Sequence, residues 1–161
     1  MNQFFGRYST EIIASVLYFL ISIISGYGAK SNDPSWYTSL IKASFTPPAW
    51  IFGPIWSILY LMIGFVLGKI WKVRQVYPWL LFIFVTQTIL NLLWPWVFFH
   101  FHRPDLAFYN ICLLWTTILI VMKTVYKTSQ RSIIIWLIPY FLWTSFALVL
   151  NFTTAQLNHY L

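Results

Sequence analysis

The chain has 161 residues, of which 60% are hydrophobic, 22% aromatic and only 8% charged, and its mean hydropathy is +0.72. Soluble domains carry roughly 25% charged residues, so this composition excludes a soluble globular protein and indicates an integral membrane protein. The net charge of +7 comes from ten Lys and Arg residues scattered along the chain. Because they form no basic stripe, we expect no nucleic-acid partner.

Five apolar stretches follow one another, each close to the roughly 20 residues that a membrane-spanning helix needs. They cover about residues 12–28, 48–70, 78–101, 106–126 and 132–156. Helices are expected because lipid cannot satisfy backbone polar groups, and the stretches are too long and too uniformly apolar for barrel strands. We predict an all-α integral membrane protein, a five-transmembrane-helix bundle that forms one domain over residues 1–161.

The first stretch, residues 12–28, resembles a signal peptide in its position but lacks an Ala-x-Ala cleavage site, so we interpret it as the first span. Five spans place the termini on opposite sides of the membrane. The N-terminal side then carries seven Lys and Arg residues and the other side three, which predicts a cytoplasmic N-terminus. The two sets are Arg7, Lys69, Lys72, Arg74, Lys123, Lys127 and Arg131, and Lys30, Lys42 and Arg103.

The longest connection, residues 29–47, is predicted on the outer side, where its aromatic residues can fold over the mouth of the bundle. In the second span, Gly64 and Gly68 form a Gly-x-x-x-Gly pair, which lets two helices approach closely. Two interpretations remain open: packing inside one bundle, or a seam between the copies of a homodimer.

Side chains suited to acid–base or metal chemistry are scarce. The three acids, Glu11, Asp33 and Asp105, are predicted before the first span or in outer connections, so no two carboxylates face each other inside the bundle. The absence of a charge from the middle of any span argues against an ion pump. His100 and His102 point about 200° apart on a helix, and we predict no metal site.

Uncharged polar residues share helix faces with aromatic residues in three spans. Gln87, Asn91, Trp94 and Phe98 follow one face of the third span, and Trp56 and Tyr60 are one turn apart in the second. In the fifth span Trp143, Ala147, Leu150 and Asn151 form a similar stripe. These faces predict an apolar cavity with a few hydrogen-bonding groups, suited to a planar hydrophobic ligand. The alternative is that the amides join helices and the aromatic rings fill the core or the interfacial belt.

Ordered aromatic and proline motifs run through nearly the whole chain. They are Trp36-Tyr37, Thr46-Pro47-Pro48-Ala49-Trp50, Phe52-Gly53-Pro54-Ile55-Trp56 with Leu59-Tyr60, Asn91-Leu92-Leu93-Trp94 with Phe98-Phe99, and Trp136-Leu137-Ile138-Pro139-Tyr140 with Trp143, Phe146-Ala147 and Leu150-Asn151. In kind and order these motifs resemble the TspO/MBR family of translocator proteins and tryptophan-rich sensory proteins, once called the peripheral benzodiazepine receptor.

The resemblance implies a five-helix bundle, commonly dimeric, that binds porphyrins such as protoporphyrin IX, sterols and synthetic ligands, with no required cofactor. We therefore expect a membrane receptor for porphyrins and other flat hydrophobic molecules, in tetrapyrrole handling or stress sensing. The alternatives are a light-dependent porphyrin-degrading enzyme and a porphyrin or sterol transporter. The resemblance assigns ligand binding to Tyr37, Trp50, Trp56, Asn91, Trp94, Trp143 and Ala147, and photochemistry to Trp56 and Trp143.

The sequence departs from the family pattern after the fifth span. The sterol-recognition pattern of animal members needs a Tyr followed by a basic residue, whereas here Phe152 follows Asn151 and no Lys or Arg lies beyond Arg131. Sterol binding there is therefore not expected. The missing animal-type terminus favours a bacterial cell membrane over a mitochondrial outer membrane.

Overall fold

The computed structural model describes residues 2–30 and 33–161, and the side chains of residues 8–30, 33 and 35–161. Its α-helices are α1 (Asn2–Gly28), α2 (Pro34–Ser39), α3 (Phe52–Lys72), α4 (Pro78–Pro95), α5 (Pro104–Tyr126) and α6 (Ile134–Leu157). A π-helical turn, Trp96–His100, extends α4, and 3₁₀ turns at Ala49–Ile51 and Arg131–Ile133 precede α3 and α6. The described residues contain no strand.

Five of these helices are long and apolar enough to cross a membrane, which confirms the predicted fold class. Pro78 and Pro104 begin α4 and α5, where a missing backbone N–H breaks no hydrogen bond. The short α2 is capped by Asp33, whose carboxylate accepts a hydrogen bond from the Ser35 backbone N–H at 2.9 Å. Parts of two predictions, the Arg7 side chain and residues 31–32 of the long connection, lie outside the described residues.

The helices pack in a bundle in which α1 lies mainly against α3, α4 against α5, and α5 against α6. The core contains fully buried side chains such as Ile63, Ile70, Leu80 and Tyr140. The outer surface is also apolar, with exposed Ile, Leu, Val and Phe side chains along every long helix. Such a surface suits hydrocarbon rather than water.

The Gly64–Gly68 pair brings α3 into backbone contact with α1. A Cβ added to Gly64 would lie 2.5 Å from the Ser15 Cα, and one added to Gly68 would lie 2.5 Å from the Glu11 Cα. The close approach therefore occurs inside one chain, as in the first of the two interpretations of this motif. The homodimer stays a prediction.

Helix α1 begins at Asn2 and therefore extends N-terminally beyond the predicted first span, residues 12–28. Helical hydrogen bonding continues on the N-terminal side of the apolar stretch, so Glu11 lies within the helix. Its side chain is fully buried. Its carboxylate accepts hydrogen bonds at 2.7 and 2.8 Å from Lys72 of α3 and lies 3.1 Å from the Lys69 ammonium. We call this end of the bundle, where Glu11 meets Lys69 and Lys72, the ion-pair end.

Candidate functional site

A cavity opens at the opposite end of the bundle, which we call the cavity end. It is open to the outside, and the empty space among its lining residues, counting the open part, is about 520 Å³. Helices α3, α4 and α6, the π-helical turn, α2 and the connection after α2 form its walls. The lining residues are Tyr37, Lys42, Thr46, Phe52, Trp56, Trp94, Phe98, Phe99, Ala147, Leu150, Asn151 and Thr154.

Aromatic rings form most of one wall. Trp94 stacks on Phe98 with ring centroids 5.3 Å apart and an angle of 26° between the planes. Pro95 immediately precedes the π-helical turn, and because proline has no N–H the regular hydrogen-bond ladder is interrupted there. The wider turn that follows holds the consecutive residues Phe98 and Phe99 against the same cavity.

Residues 35–48, which we call the strap, cover the mouth of the cavity. Tyr37 packs edge-on against Phe99 at 5.3 Å, and Trp36 stacks on His102 at 4.3 Å. These contacts agree with the expectation that the aromatic residues of the long connection fold over the bundle. His102, considered above as a metal ligand, packs in this ring stack, and within the described residues no group of three His, Cys, Asp or Glu side chains is placed to hold a metal ion.

The C-terminal residues hold the strap in place. The Asn158 side chain donates to the Ile41 carbonyl at 2.8 Å and accepts from the Ile41 N–H at 2.9 Å. The Trp36 indole N–H also donates to the Tyr160 hydroxyl at 3.3 Å. The strap is therefore held by these polar contacts together with its ring contacts and the buried side chains of Leu40 and Ala43.

Polar groups on the α6 side of the cavity are already hydrogen-bonded. Asn151 accepts from the Trp94 indole N–H at 3.0 Å and donates to the Pro104 carbonyl at 2.9 Å, and Thr154 donates to the Leu150 carbonyl at 2.8 Å. This part of the cavity can therefore contact a ligand mainly through apolar surface.

Four of the seven predicted ligand-binding residues lie together on the cavity wall: Tyr37, Trp56, Trp94 and Ala147. They come from four different parts of the chain, and the small Ala147 side chain leaves room beside the rings. Trp56 also contacts Tyr60 and Tyr140, with ring centroids 5.6 and 6.4 Å away. This placement brings the indoles together as the sequence interpretation requires, while their binding roles stay predictions.

Trp143 and Trp50 lie outside the cavity. Trp143 is one ring away, 5.7 Å from Phe52, and it faces an apolar groove between α3 and α6. Its indole N–H has no hydrogen-bond partner among the described residues. Trp50 is 73% exposed on the 3₁₀ turn before α3, as expected for an aromatic residue at a membrane interface. These two indoles do not line the cavity with Trp56. The binding roles of Trp50 and Trp143 and the photochemical role of Trp143 stay predictions.

Asn91 is buried below the cavity in a hydrogen-bonded network. Its carbonyl accepts from the Tyr60 hydroxyl at 2.7 Å, its amide donates to the Tyr140 hydroxyl at 2.9 Å, and Tyr140 donates to the Gln87 carbonyl at 2.8 Å. The network extends to α1 through Tyr18, whose hydroxyl donates to Thr88 at 2.8 Å. For Gln87 and Asn91 the arrangement matches the alternative in which amides join helices, and only Trp94 and Phe98 of that face reach the cavity.

The sequence interpretation missed several lining residues, above all Lys42, Thr46, Phe52 and Phe99. Lys42 and Thr46 lie in a connection without helical periodicity, so no face could be assigned to them. The partners of the amides were missed as well. The available signal was the rule that buried amides need hydrogen-bond partners, for which the buried hydroxyls of Tyr18 and Tyr140 were candidates.

Comparison with known proteins places the chain in a family. The family model described as the TspO/MBR family matches residues 13–157. The tryptophan-rich protein TspO of Chlorobaculum tepidum is 36% identical over 156 residues, which cover 92% of this chain and 98% of that protein. The protein of the same name in Archaeoglobus fulgidus is 33% identical, covering 92% of this chain and 97% of its own length.

The chain is also similar to the human translocator protein, at 30% identity over 130 residues that cover 77% of this chain and 75% of the human protein. The residues that the family model matches, 13–157, include the aromatic motifs and all the lining residues of the cavity. The chain therefore belongs to the TspO/MBR family and is an integral membrane protein.

Proposed function

We propose that this protein is a membrane receptor for porphyrins of the protoporphyrin IX type and for other flat hydrophobic ligands, acting in tetrapyrrole handling or stress sensing. The observation that carries the proposal is the cavity between α3, α4 and α6, where Trp56, Trp94 and Phe98 offer ring surfaces to a planar molecule. Aromatic rings favour offset-stacked or edge-on contacts, and each such pair contributes about 0.5–1.5 kcal/mol beyond the burial of its area.

The position of the cavity also supports a ligand that arrives from the membrane. The cavity lies between helices of a bundle whose outer surface is apolar, and the strap lies over its mouth. A hydrophobic ligand already dissolved in the bilayer can reach such a site without crossing water. We place the protein in a bacterial cell membrane with the ion-pair end on the cytoplasmic side, where Lys69 and Lys72 satisfy the positive-inside rule.

Binding of protoporphyrin IX to the purified protein in nanodiscs tests the proposal through the quenching of Trp fluorescence. Ala147→Phe should weaken binding by about tenfold or more, because the added ring fills the cavity beside the indoles. Val149→Phe is the matched control, since Val149 is two residues away on the same helix and 51% exposed towards lipid.

A thermal unfolding curve for each variant separates a filled cavity from a misfolded protein, and Ala147→Leu supplies a smaller insertion if the Phe variant does not fold. The proposal fails if wild-type emission is unchanged at micromolar porphyrin, or if the folded Ala147 variants bind as tightly as Val149→Phe.

A further inference from the structure

The polar groups on the strap side of the cavity have hydrogen-bonding capacity that the protein itself does not use. We propose that the cavity selects flat apolar ligands that carry a carboxylate, with the Lys42 ammonium and the Thr46 hydroxyl as the groups that bind it. This inference rests on the proposed function, because it assigns a ligand chemistry to the same cavity.

Lys42 is the one charged side chain among the cavity-lining residues. Its ammonium lies 4.6 Å from the centre of the Tyr37 ring and 3.4 Å from the Leu40 carbonyl. An ammonium has three donors, so a single long hydrogen bond to a carbonyl leaves most of its capacity unused. Lys42 is half-buried beside aromatic rings, where water can bond to the unused N–H donors less completely than at an exposed site.

The Asp and Glu side chains of the described residues are engaged elsewhere. Glu11 is bound by Lys69 and Lys72 at the other end of the bundle, and the Asp105 carboxylate is 2.6 Å from the Arg103 guanidinium. Asp33 accepts hydrogen bonds from the backbone N–H and the hydroxyl of Ser35. No ion pair to Lys42 occurs among the described residues, so an anion bound in the cavity would meet a cation without a competing counter-ion.

Thr46 provides the second, independent observation. Its hydroxyl oxygen is buried and has no hydrogen-bond partner in the described part of the protein, although the residue lines the cavity. A buried hydroxyl left without a partner costs roughly 1–3 kcal/mol, and threonine hydroxyls elsewhere in this chain avoid that cost by bonding to a carbonyl one turn earlier, as Thr154 does. A ligand acceptor at this position would remove the cost.

The two ends of the cavity thus differ in what they can recognise. The α4 and α6 walls present rings and the Asn151 amide, which is already bonded, while the strap side presents an ammonium and a hydroxyl donor. A ligand matched to both has a broad apolar body and an acid group directed towards the strap. Charge-assisted hydrogen bonds are roughly twice as strong as neutral ones, so the acid group should determine much of the selectivity.

A competing role for Lys42 is to extend its ammonium towards lipid headgroups while its methylenes cover apolar surface. In that case removal of the charge would leave ligand choice unchanged. The experiment therefore compares ligands that differ only in charge, in nanodiscs of neutral phosphatidylcholine, with protein-free nanodiscs subtracted to remove partitioning into lipid.

The probes are protoporphyrin IX and its dimethyl ester, which has the same ring but no carboxylate. Wild type should bind the acid about tenfold more tightly than the ester, as expected for one charge-assisted hydrogen bond in a half-buried site. Lys42→Met should bring that ratio close to one by weakening acid binding alone, since Met keeps the length and apolar character of the side chain. Thr46→Val should lower the ratio partially.

Lys30→Met is the matched control, because Lys30 lies over Tyr27 on the same side of the bundle but does not line the cavity. Its acid-to-ester ratio should equal that of wild type. A wild-type ratio near one, or a ratio preserved in Lys42→Met, overturns the carboxylate proposal while the receptor function stands. Failure of wild type to bind either compound overturns both.

Discussion

The ion-pair end and the cavity end of the bundle differ in the size of the side chains that α3 carries at each end. At the ion-pair end, Gly64 and Gly68 of α3 let the backbone of α1 come close, and the buried carboxylate of Glu11 is matched by two lysines. At the cavity end, Phe52 and Trp56 of α3 carry bulky rings that line open space between the helices. The size of the side chains along α3 therefore decides which end is closely packed and which can receive a ligand.

The two ends also differ in how far their polar side chains are satisfied by hydrogen bonds. At the ion-pair end and in the network of Tyr60, Asn91 and Tyr140, the polar side chains bond to one another across helices. At the cavity end, Lys42 and Thr46 keep unused capacity. Satisfied buried polar groups fix the relative positions of helices, whereas unsatisfied ones favour a ligand that supplies the missing partner. Rigidity and binding capacity are therefore located in different parts of the molecule.

The largest effect is expected from closing the gap that glycine leaves between α1 and α3. A Cβ at Gly64 would meet the Ser15 Cα at 2.5 Å and the Ala14 carbonyl oxygen at 2.7 Å, and neither backbone atom can move without shifting α1. Gly64→Ala should therefore lower the free energy of unfolding by about 3 kcal/mol through overpacking. Thermal unfolding in detergent can be followed with a thiol-reactive dye, since Cys112 is the single cysteine and is half-buried.

Gly26→Ala is the control for this prediction. Gly26 lies in α1 with nothing within 4 Å of an added Cβ, so the substitution should be neutral or stabilising by up to about 1 kcal/mol through helix propensity. Equal unfolding temperatures for the two variants would show that the closely packed end does not depend on glycine.

A smaller effect is expected from removing the buried charge at the ion-pair end. Glu11→Gln leaves Lys69 and Lys72 without their carboxylate, which should cost about 1–3 kcal/mol. The cost stays below that of breaking a fully buried ion pair, because the two lysine side chains are 21% and 37% exposed and water can reach them. Thermal unfolding of the purified variant measures it.

Asp105→Asn tests whether the burial of Glu11 is the reason why removing its carboxylate destabilises the protein. It also removes one carboxylate from an ion pair, but its partner Arg103 is 50% exposed, and such surface pairs contribute at most about 1 kcal/mol. If Asp105→Asn destabilised the protein more than Glu11→Gln, the ion-pair end would lose its assigned role in holding α1 to α3.

Most of the fold could be predicted from the sequence because hydropathy and proline positions determine where membrane helices lie. The burial of Glu11 could not, since it depends on Lys69 and Lys72 of another helix. Helical periodicity correctly placed Asn91 and Trp94 on one face of α4. It could not show how far along the axis the cavity extends. Asn91, to which the resemblance assigns ligand binding, bonds to two tyrosines in this structure.

Residues outside regular helices were the hardest to assign. Trp50 precedes α3 in a 3₁₀ turn, where the helical phase of Trp56 does not continue, and it faces outwards. Lys42 and Thr46 lie in the strap, whose path is fixed by Asn158 at the far end of the chain. A contact between residues 117 positions apart leaves no pattern in a local stretch of sequence.

The smallest effect on global stability is expected from releasing the strap at Asn158. Its side chain forms both hydrogen bonds to the Ile41 backbone, so Asn158→Ala should leave the unfolding temperature nearly unchanged while it frees residues 35–48 to open locally. Amide hydrogen exchange in the strap should become about tenfold faster, which corresponds to roughly 1.4 kcal/mol of lost local stability, whereas α1 and α3 at the ion-pair end should keep their protection.

Gln156→Ala, an exposed substitution on the same helix, should change neither region. Unchanged strap exchange in Asn158→Ala would mean that the ring stacking of Trp36 and Tyr37 alone holds the strap. Faster exchange at both ends would mean that the two regions do not open independently, and the separation of rigidity from binding capacity would be wrong.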